Sequence, residues 1–218
     1  MKVIITGATG YVGSGVLAEC LRHPDVTSVL CVDRRPNERH EAKLKQLVVR
    51  DFMDLAAVKG ELVGYDACFY CAGVSSVGMS EEAYTKITHD MALHFAETVL
   101  ALNPQMVLCH VSGMSTDGSE EGRVMWARVK GRAENALARL PFEAVYNFRP
   151  GIMKPDPDQG KVKALYRVLG ALYPVLDVVA PRSVSTVADV GRAMIHCVQR
   201  GYPKTVLEVP DIREAARA

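Results

Sequence analysis

The sequence predicts an α/β protein with a doubly wound parallel sheet, and two observations carry this prediction. Short apolar runs rich in Val, Cys and aromatic residues alternate along the chain with stretches of helical periodicity. The runs are continuously apolar, which is typical of parallel strands that helices cover on both faces. At 218 residues the chain suits one domain with a sizeable core, so we expect a single domain over 1–218.

The order of the elements follows from where these two patterns alternate. The runs that predict strands lie at 2–6, 28–33, 46–50, 65–72, 105–112, 142–149 and 205–209. The patterns that predict helices lie at 13–22, 39–45, 54–59, 80–102, 122–139 and 186–199. We expect the tail from Asp211 onward to be frayed.

A glycine-rich turn joins the first strand to the first helix. It contains Gly7, Thr9, Gly10, Tyr11, Val12 and Gly13. A tight turn that enters a helix N-terminus presents backbone N–H groups and the positive end of the helix dipole, which suits a pyrophosphate. Gly7 would make the turn, Gly10 would let phosphate approach, and Gly13 would let the helix pack closely. The spacing, together with the strand before and the helix after, predicts a dinucleotide site.

Composition excludes several classes of protein. The net charge is +1 with Lys and Arg dispersed, so the chain lacks the basic patch of a nucleic-acid-binding protein. The six cysteines lie mostly in apolar runs and show no metal-ligand spacing, because Cys68 and Cys71 would face opposite sides of one strand. We therefore expect free thiols and no metal.

Met1 leads directly into the first apolar run, without the basic and apolar segments of a signal peptide. No apolar run reaches the length that spans a bilayer. We therefore expect a cytoplasmic protein.

The chain resembles the short-chain dehydrogenase/reductase superfamily, within which it is similar to the atypical, NAD-dependent epimerase/dehydratase-like branch of Tat-interacting-protein-like oxidoreductases. The resemblance covers essentially the whole chain. It rests on the glycine turn and on segments that follow successive strands: Asp51-Phe52, Cys71-Ala72-Gly73, Ser112, the Trp126–Lys130 helix and Arg149-Pro150-Gly151. It implies a Rossmann fold that binds NAD(P)(H).

The end of the second strand carries opposing signals about the cofactor. Asp33 sits where an acid binds the adenosine ribose hydroxyls of NAD and would repel a 2′-phosphate. Arg34 and Arg35 follow at once, and guanidinium groups suit capture of that phosphate, unless they are solvated loop charges. Resemblance to relatives with paired arginines favours NADP(H), and NAD(H) remains an alternative.

Three further strand ends are predicted to contact the dinucleotide. Asp51 would accept a hydrogen bond from the adenine amino group with Phe52 beside the ring, although Asp at a strand end is also a common turn cap. Cys71, Ala72 and Gly73 would offer a floor poor in side chains for the ribose and nicotinamide. A rigid loop at Pro150 and Gly151 would lie beside the nicotinamide.

The catalytic residues implied by the resemblance are incomplete. The superfamily places a Tyr four residues before a Lys on one helix, so that the ammonium lowers the pKa of the phenol. Here Lys130 is present but Trp126 takes the place of the Tyr, and an indole has no proton to exchange. Ser112 would polarise a substrate carbonyl, and Tyr84 is a candidate proton donor. His110 and Tyr146 fit the core better.

The C-terminal third contains the main departure from strand–helix alternation. A Pro/Asp/Gly loop at 153–163 precedes an apolar stretch at 164–180, which Pro174 should break into two short helical pieces. We expect 153–185 to form a lid over the substrate pocket, which favours a small apolar ligand. The stretch 164–180 is alternatively a candidate for peripheral membrane or protein contact. The superfamily's usual dimer helices correspond to 80–102 and 122–139, which suggests a homodimer.

These observations lead to two hypotheses about function. The first is an NADP(H)-binding oxidoreductase that transfers hydride to or from a small carbonyl or alcohol. The second is a non-catalytic NAD(P)(H)-binding redox sensor or interaction protein, which the loss of the Tyr favours. A sugar-nucleotide epimerase is disfavoured, because those enzymes devote a larger C-terminal domain to the sugar nucleotide.

Overall fold

A computed structural model describes residues 1–156 and 164–218, and within this part of the chain seven parallel strands form one sheet. The sheet order is β3-β2-β1-β4-β5-β6-β9, and β7 and β8 form a separate parallel pair. The strands are β1 Lys2–Thr6, β2 Ser28–Asp33, β3 Leu44–Val48, β4 Ala67–Tyr70, β5 Val107–Val111, β6 Ala144–Arg149, β7 Ile152–Lys154, β8 Val184–Thr186 and β9 Val206–Glu208. The doubly wound α/β fold is thus confirmed.

Helices cover both faces of this sheet. They are α1 Tyr11–Arg22, α2 Glu81–Thr85, α3 Met91–Leu102, α4 Met125–Ala138, α5 Ala164–Val179, α6 Val187–Arg200 and α7 Val209–Ala215. A π-helical turn, Lys86–Asp90, joins α2 to α3, and a 3₁₀ segment covers Ala56–Leu62. Because the chain runs outward from β1 to β3 and then returns to β4, the strand order reverses between β1 and β4. Ligands of such sheets bind at the carboxyl ends of the strands beside this reversal.

Alternate residues of each strand enter two separate apolar cores. Ile5, Phe69 and Cys109 belong to the core that also contains residues of α1, α6 and α7. Ile4 and Cys68 belong to the opposite core, with residues of α3 and α4. The sheet is therefore buried on both faces, which is why its strands read as continuous apolar runs.

The helix predicted at 39–45 is wrong. In the structure this segment is a loop that leads into β3, whose first residue is Leu44. The side chain of Gln46 accepts a hydrogen bond from the Asn37 backbone N–H at 2.8 Å and donates to the Arg39 carbonyl at 2.9 Å. These side-chain bonds satisfy backbone groups that a helix would otherwise have paired.

Two predictions for the C-terminal region are also wrong. α5 continues through Pro174 as one helix, although proline removes a backbone donor, and it packs on β7 and β8. The tail is ordered as α7, because Ile212 and Ala215 are buried in the core and Asp211 accepts a hydrogen bond from the Glu208 N–H at 3.1 Å. Of the predicted loop at 153–163, residues 157–163 lie outside the described residues.

Candidate functional site

Two positions of the glycine-rich turn have no room for a side chain. Gly7 has φ +71°, and a Cβ there would lie 2.7 Å from the backbone of Cys71 and Ala72. A Cβ on Gly13 would lie 2.1 Å from the Gly7 carbonyl oxygen. Both distances are shorter than van der Waals contact, and the atoms concerned belong to the backbone and cannot rotate away. The close approach of β1, α1 and β4 therefore requires these glycines.

The first turn of α1 begins at these strand ends and has no capping side chain. Gly10 is the N-cap residue, and its own N–H donates to the Gly7 carbonyl at 2.9 Å. Because glycine has no side-chain oxygen, it cannot cap the N–H groups that follow. Thr9 and Gly10 are exposed at the tip of the turn, whereas Val12 packs against the α1-side core. An uncapped helix N-terminus at a strand reversal suits a pyrophosphate.

Thr6 fixes the end of β4 against the end of β1. The Cys71 N–H donates to the Thr6 carbonyl at 3.2 Å, and the Ala72 N–H donates to Thr6 Oγ1 at 3.2 Å. Gly73, the next residue, is exposed, and a Cβ there would meet no atom within 4 Å. Residues 71–73, the Cys71 edge, thus present backbone that Thr6 holds at one end and that is exposed at Gly73.

At the end of β2, Asp33 is buried and the two following arginines are exposed. Asp33 is 5% exposed, and its Oδ2 atom has no hydrogen-bond partner among the described residues. Burial raises the pKa of Asp33 to about 7, and the N–H groups of Gly7 and Ala8 oppose part of that rise. The carboxyl therefore lies beside the glycine turn, while Arg34 and Arg35 reach solvent.

The two residues after β3 have different environments. Asp51 is exposed, and its Oδ1 accepts a hydrogen bond from the Met53 N–H at 2.9 Å, as a turn cap does. Phe52 is 4% exposed and its ring lies 5.5 Å from that of Phe95 in the core. The structure thus uses both residues locally, and their contact with adenine stays a prediction.

At the end of β5, the Ser112 hydroxyl is paired with Thr116. Ser112 Oγ lies 2.9 Å from Thr116 Oγ1, and the Thr116 hydroxyl donates to the Gly113 carbonyl at 2.7 Å. Since the single Thr116 proton is used there, Ser112 is the donor in this pair. To donate to a bound carbonyl, the Ser112 hydroxyl must therefore break its hydrogen bond to Thr116.

Lys130 lies beside this strand end. Its Cδ and Cε atoms are 3.9 Å from the position that a Cβ on Gly113 would take. Burial lowers the pKa of Lys130 to about 8, and the charge of Glu134, one helical turn further on, opposes the decrease. The structure thus brings together Lys130 and the Ser112-Gly113 backbone, as the sequence predicted, and keeps the amine ionised at neutral pH.

The lysine's neighbour Glu134 is itself held by an arginine. Glu134 is 2% exposed, and Arg149 bonds it through Nε at 2.9 Å and Nη2 at 2.6 Å. Arg149 Nη1 also reaches Glu208 Oε1 at 3.1 Å. This network joins β6, α4 and β9 below the loop of Pro150 and Gly151.

Gly151 fits only because it lacks a side chain, since a Cβ there would lie 2.2 Å from the Ser183 carbonyl oxygen. Pro150 is buried, and its carbonyl accepts a hydrogen bond from the Met114 N–H at 3.3 Å. The Tyr11 hydroxyl donates to the Met153 carbonyl at 2.6 Å. The β5 loop is therefore bonded to the β6 loop, and the start of α1 is bonded to β7.

The candidate proton donors are placed differently from the lysine. Trp126 is half-buried in the first turn of α4, four residues before Lys130. Tyr84 is 2% exposed, and burial raises the pKa of its hydroxyl. This burial does not support Tyr84 as a donor to a substrate, and its role stays a prediction. His110 is 2% exposed with Nδ1 2.9 Å from Asn147 Oδ1, as expected for a core histidine.

The model of the NAD dependent epimerase/dehydratase family matches residues 3–124, which hold the glycine turn, Asp33, the Cys71 edge and Ser112. The chain belongs to this family.

Similar proteins include members of the atypical branch. Protein fmp52-1, mitochondrial, of Aspergillus terreus is 30% identical over 167 residues, which cover 73% of this chain and 70% of that protein. Protein HTATIP2 of Rattus norvegicus is 26% identical over 164 residues, which cover 73% of this chain and 66% of that protein. The resemblance to Tat-interacting-protein-like oxidoreductases is thus confirmed.

Solved structures of this family type share the fold. MoeE5 in complex with UDP-glucuronic acid and NAD aligns with TM-score 0.68 at 17% identity, over 100% of this chain and 82% of that chain. The glucuronic acid dehydrogenase from Chromohalobacter salexigens aligns with TM-score 0.67 at 19% identity, over 94% and 75%. At such identities the likeness establishes the Rossmann-type fold.

No helix in the described ranges 1–156 and 164–218 has the length and apolarity needed to cross a membrane. On α5 the side chains of Leu172, Val175, Val178 and Val179 are exposed. The cytoplasmic location, the membrane or protein contact through 164–180, the homodimer and the lid at 153–185 stay predictions.

For this epimerase/dehydratase family member, the structure shows supporting residues that the sequence did not indicate. Thr116 holds the Ser112 hydroxyl, Thr6 fixes the Cys71 edge, and Glu134 supports the charge of Lys130. Only Glu134 had a sequence signal, because it lies four residues after Lys130 and therefore shares its helix face. The other two depend on contacts between segments that are distant in sequence or within an irregular loop.

Proposed function

We propose that the protein is an NADP(H)-binding oxidoreductase that transfers hydride to or from a small carbonyl or alcohol. The observation that carries the proposal is the position of Lys130 against Gly113, beside Ser112 and at the same sheet edge as the glycine turn. A nucleotide-binding turn alone would support a binding protein. A lysine and a serine at the β5 end add groups that orient a cofactor ribose and a carbonyl.

Two observations support dinucleotide binding. The absence of a side chain at Gly7 and Gly13 lets the N-terminus of α1 approach the ends of β1 and β4, where a pyrophosphate would bind. The buried Asp33 Oδ2 lacks a hydrogen-bond partner among the described residues, as expected of an atom that awaits a ligand hydroxyl. When bound, the nicotinamide supplies the hydride chemistry.

The roles of the protein's own groups follow from their surroundings. The Lys130 ammonium, whose pKa is about 8, would bind ribose hydroxyls as a cation at neutral pH. The Ser112 hydroxyl would orient and polarise a carbonyl after leaving Thr116. Because Trp126 exchanges no proton and Tyr84 is buried, we infer that water supplies the proton.

NADP(H) is the proposed cofactor because of the contrast at the end of β2. Asp33 is buried beside the glycine turn, and burial favours the neutral form of its carboxyl, whereas Arg34 and Arg35 are exposed. Two guanidinium groups at this strand end suit a 2′-phosphate dianion. NAD(H) binding through Asp33 is the alternative.

The test is a calorimetric titration of the protein with NADPH and NADH, followed by single-turnover reduction of small aldehydes and quinones. We expect NADPH to bind more tightly, and we expect Ser112→Ala to slow turnover about a hundredfold with unchanged cofactor affinity. Absence of binding by either nucleotide would overturn the proposal. Binding without turnover on any carbonyl would reject the catalytic part alone.

The second candidate is a non-catalytic redox sensor, which Trp126 favours. On the oxidoreductase proposal, Trp126→Tyr restores a phenol four residues before Lys130 and raises reductase activity with generic carbonyls. On the sensor proposal, the same variant binds cofactor but gains no activity. Trp126→Phe, which removes the indole without adding a phenol, is the matched control.

A further inference from the structure

The carboxyl of Asp33 is buried without a cation to neutralise it. It is 5% exposed, and it forms no ion pair within the described part of the chain. The guanidinium groups of Arg34 and Arg35 are exposed at the next two positions. A buried carboxylate without a counter-ion is costly, so such a group keeps its proton to a higher pH than an exposed one.

The groups around Asp33 do not change this balance near neutral pH. From the glycine turn it faces the N–H groups of Gly7 and Ala8, which carry no titratable charge. The titratable neighbours are thiols, Cys31 on β2 and Cys71 after β4. Burial raises the pKa of Cys31 to about 12 and that of Cys71 well above its ordinary value, so both are neutral.

We propose that protonation of Asp33 sets the choice between NADPH and NADH, so that the protein exchanges one cofactor for the other as pH changes. The proposal rests on the proposed function, because it requires an adenosine ribose at the end of β2. Neutral Asp33 adds no charge against a 2′-phosphate held by Arg34 and Arg35. Ionised Asp33 accepts charge-assisted hydrogen bonds from the ribose diol and repels the phosphate.

The pH range of the exchange follows from the burial of the carboxyl. Burial raises the pKa of Asp33 to about 7, the middle of the physiological range. An exposed aspartate at this strand end would stay ionised throughout that range and would select NADH at every pH. The choice between NADPH and NADH therefore depends on protonation because the Asp33 carboxyl is buried.

The experiment is calorimetric titration of wild type and Asp33→Asn with NADH and NADPH between about pH 6 and pH 8.5. NADH affinity of the wild type relative to that of Asp33→Asn, of the same shape, should rise about tenfold over this range, because the loss of the Lys130 charge near pH 8 affects both proteins alike. The 2′-phosphate itself titrates near pH 6. The NADPH-to-NADH affinity ratio is therefore compared between the two proteins, and it should fall with pH in the wild type only.

A second measurement needs no variant. NADH binding at about pH 7 in buffers of different ionisation enthalpy should release roughly half a proton per site, because about half of the Asp33 carboxyls are protonated before binding. If both nucleotides bind but NADH releases no proton, or its affinity varies with pH in the same way in both proteins, this inference is overturned and the proposed function stands. If neither nucleotide binds at any pH, the proposed function fails instead.

Discussion

Arg149 holds the buried carboxylate of Glu134 in two hydrogen bonds, Nε to Oε1 at 2.9 Å and Nη2 to Oε2 at 2.6 Å. Glu134 in turn lies one helical turn from Lys130 and raises the pKa that burial lowers. Arg149 on β6 thus holds the glutamate that supports the charge of the lysine beside Gly113.

Glu134→Gln should destabilise the protein and lower the pKa of Lys130. Removing one member of a buried pair leaves Arg149 without its main partner, which costs about 3 to 5 kcal/mol. Denaturant unfolding measures this loss. Glu208→Gln is the control, because its side chain bonds the same arginine but is 44% exposed, so about 0 to 1 kcal/mol is expected. Equal losses for the two variants would contradict the central role of Glu134.

Cofactor affinity should decrease as pH rises through the pKa of Lys130, which is about 8. Below that pH the amine is a cation that binds ribose hydroxyls, and above it the charge is lost. NADPH titrations of Asp33→Asn between about pH 7 and pH 9.5 measure the decrease without the contribution of the Asp33 carboxyl. Adding Lys130→Met to this variant should weaken binding about tenfold at pH 7 and remove the decrease near pH 8. A decrease that persists in the double variant would assign it to another group.

Gly13→Ala should impair both folding and cofactor binding. The added Cβ would lie 2.1 Å from the Gly7 carbonyl, and backbone must move to relieve the contact, at a cost of about 2 kcal/mol or more. Gly60→Ala is the control, since a Cβ there meets nothing within 4 Å, and its stability should change by about 0.5 kcal/mol at most. Thermal unfolding and NADPH titration measure the two effects, and wild-type NADPH affinity in Gly13→Ala would refute the role of the turn.

Gly73→Ala separates binding from stability at the Cys71 edge. A Cβ on Gly73 would meet no protein atom within 4 Å, so the melting temperature should not change. If the nicotinamide end of the cofactor lies against this backbone, the methyl group displaces it and affinity falls about tenfold. Unchanged NADPH affinity would remove Gly73 from the predicted site.

Asp33→Asn should stabilise the ligand-free protein increasingly as pH rises. The folded state raises the pKa of Asp33 from 3.8 to about 7, so it binds this proton more tightly than the unfolded chain does. The wild type therefore loses stability as pH rises from about 4 to 7, by on the order of 4 kcal/mol, and loses no more above that range. The variant lacks this loss. Urea unfolding at about pH 4.5 and pH 8 tests it, and an equal difference at both pH values would contradict the assignment.

The sequence by itself determined the fold class and most strand ends. Continuous apolar runs and helical periodicity are local properties, so they located the parallel strands and the glycine turn directly. They failed at 39–45, where the Gln46 side chain bonds the loop backbone, and at the C-terminus, where burial of Ile212 orders α7.

The environment of each candidate residue was decided only by the tertiary structure. The sequence indicated that Asp33 and Ser112 lie at one edge of the sheet, because the carboxyl ends of parallel strands meet there. Whether a carboxyl faces solvent or the glycine turn, or whether Tyr84 is enclosed, depends on side chains from distant segments. Burial and partner charges set the pKa values and hydrogen bonds of these groups, and neither quantity is a local property of the sequence.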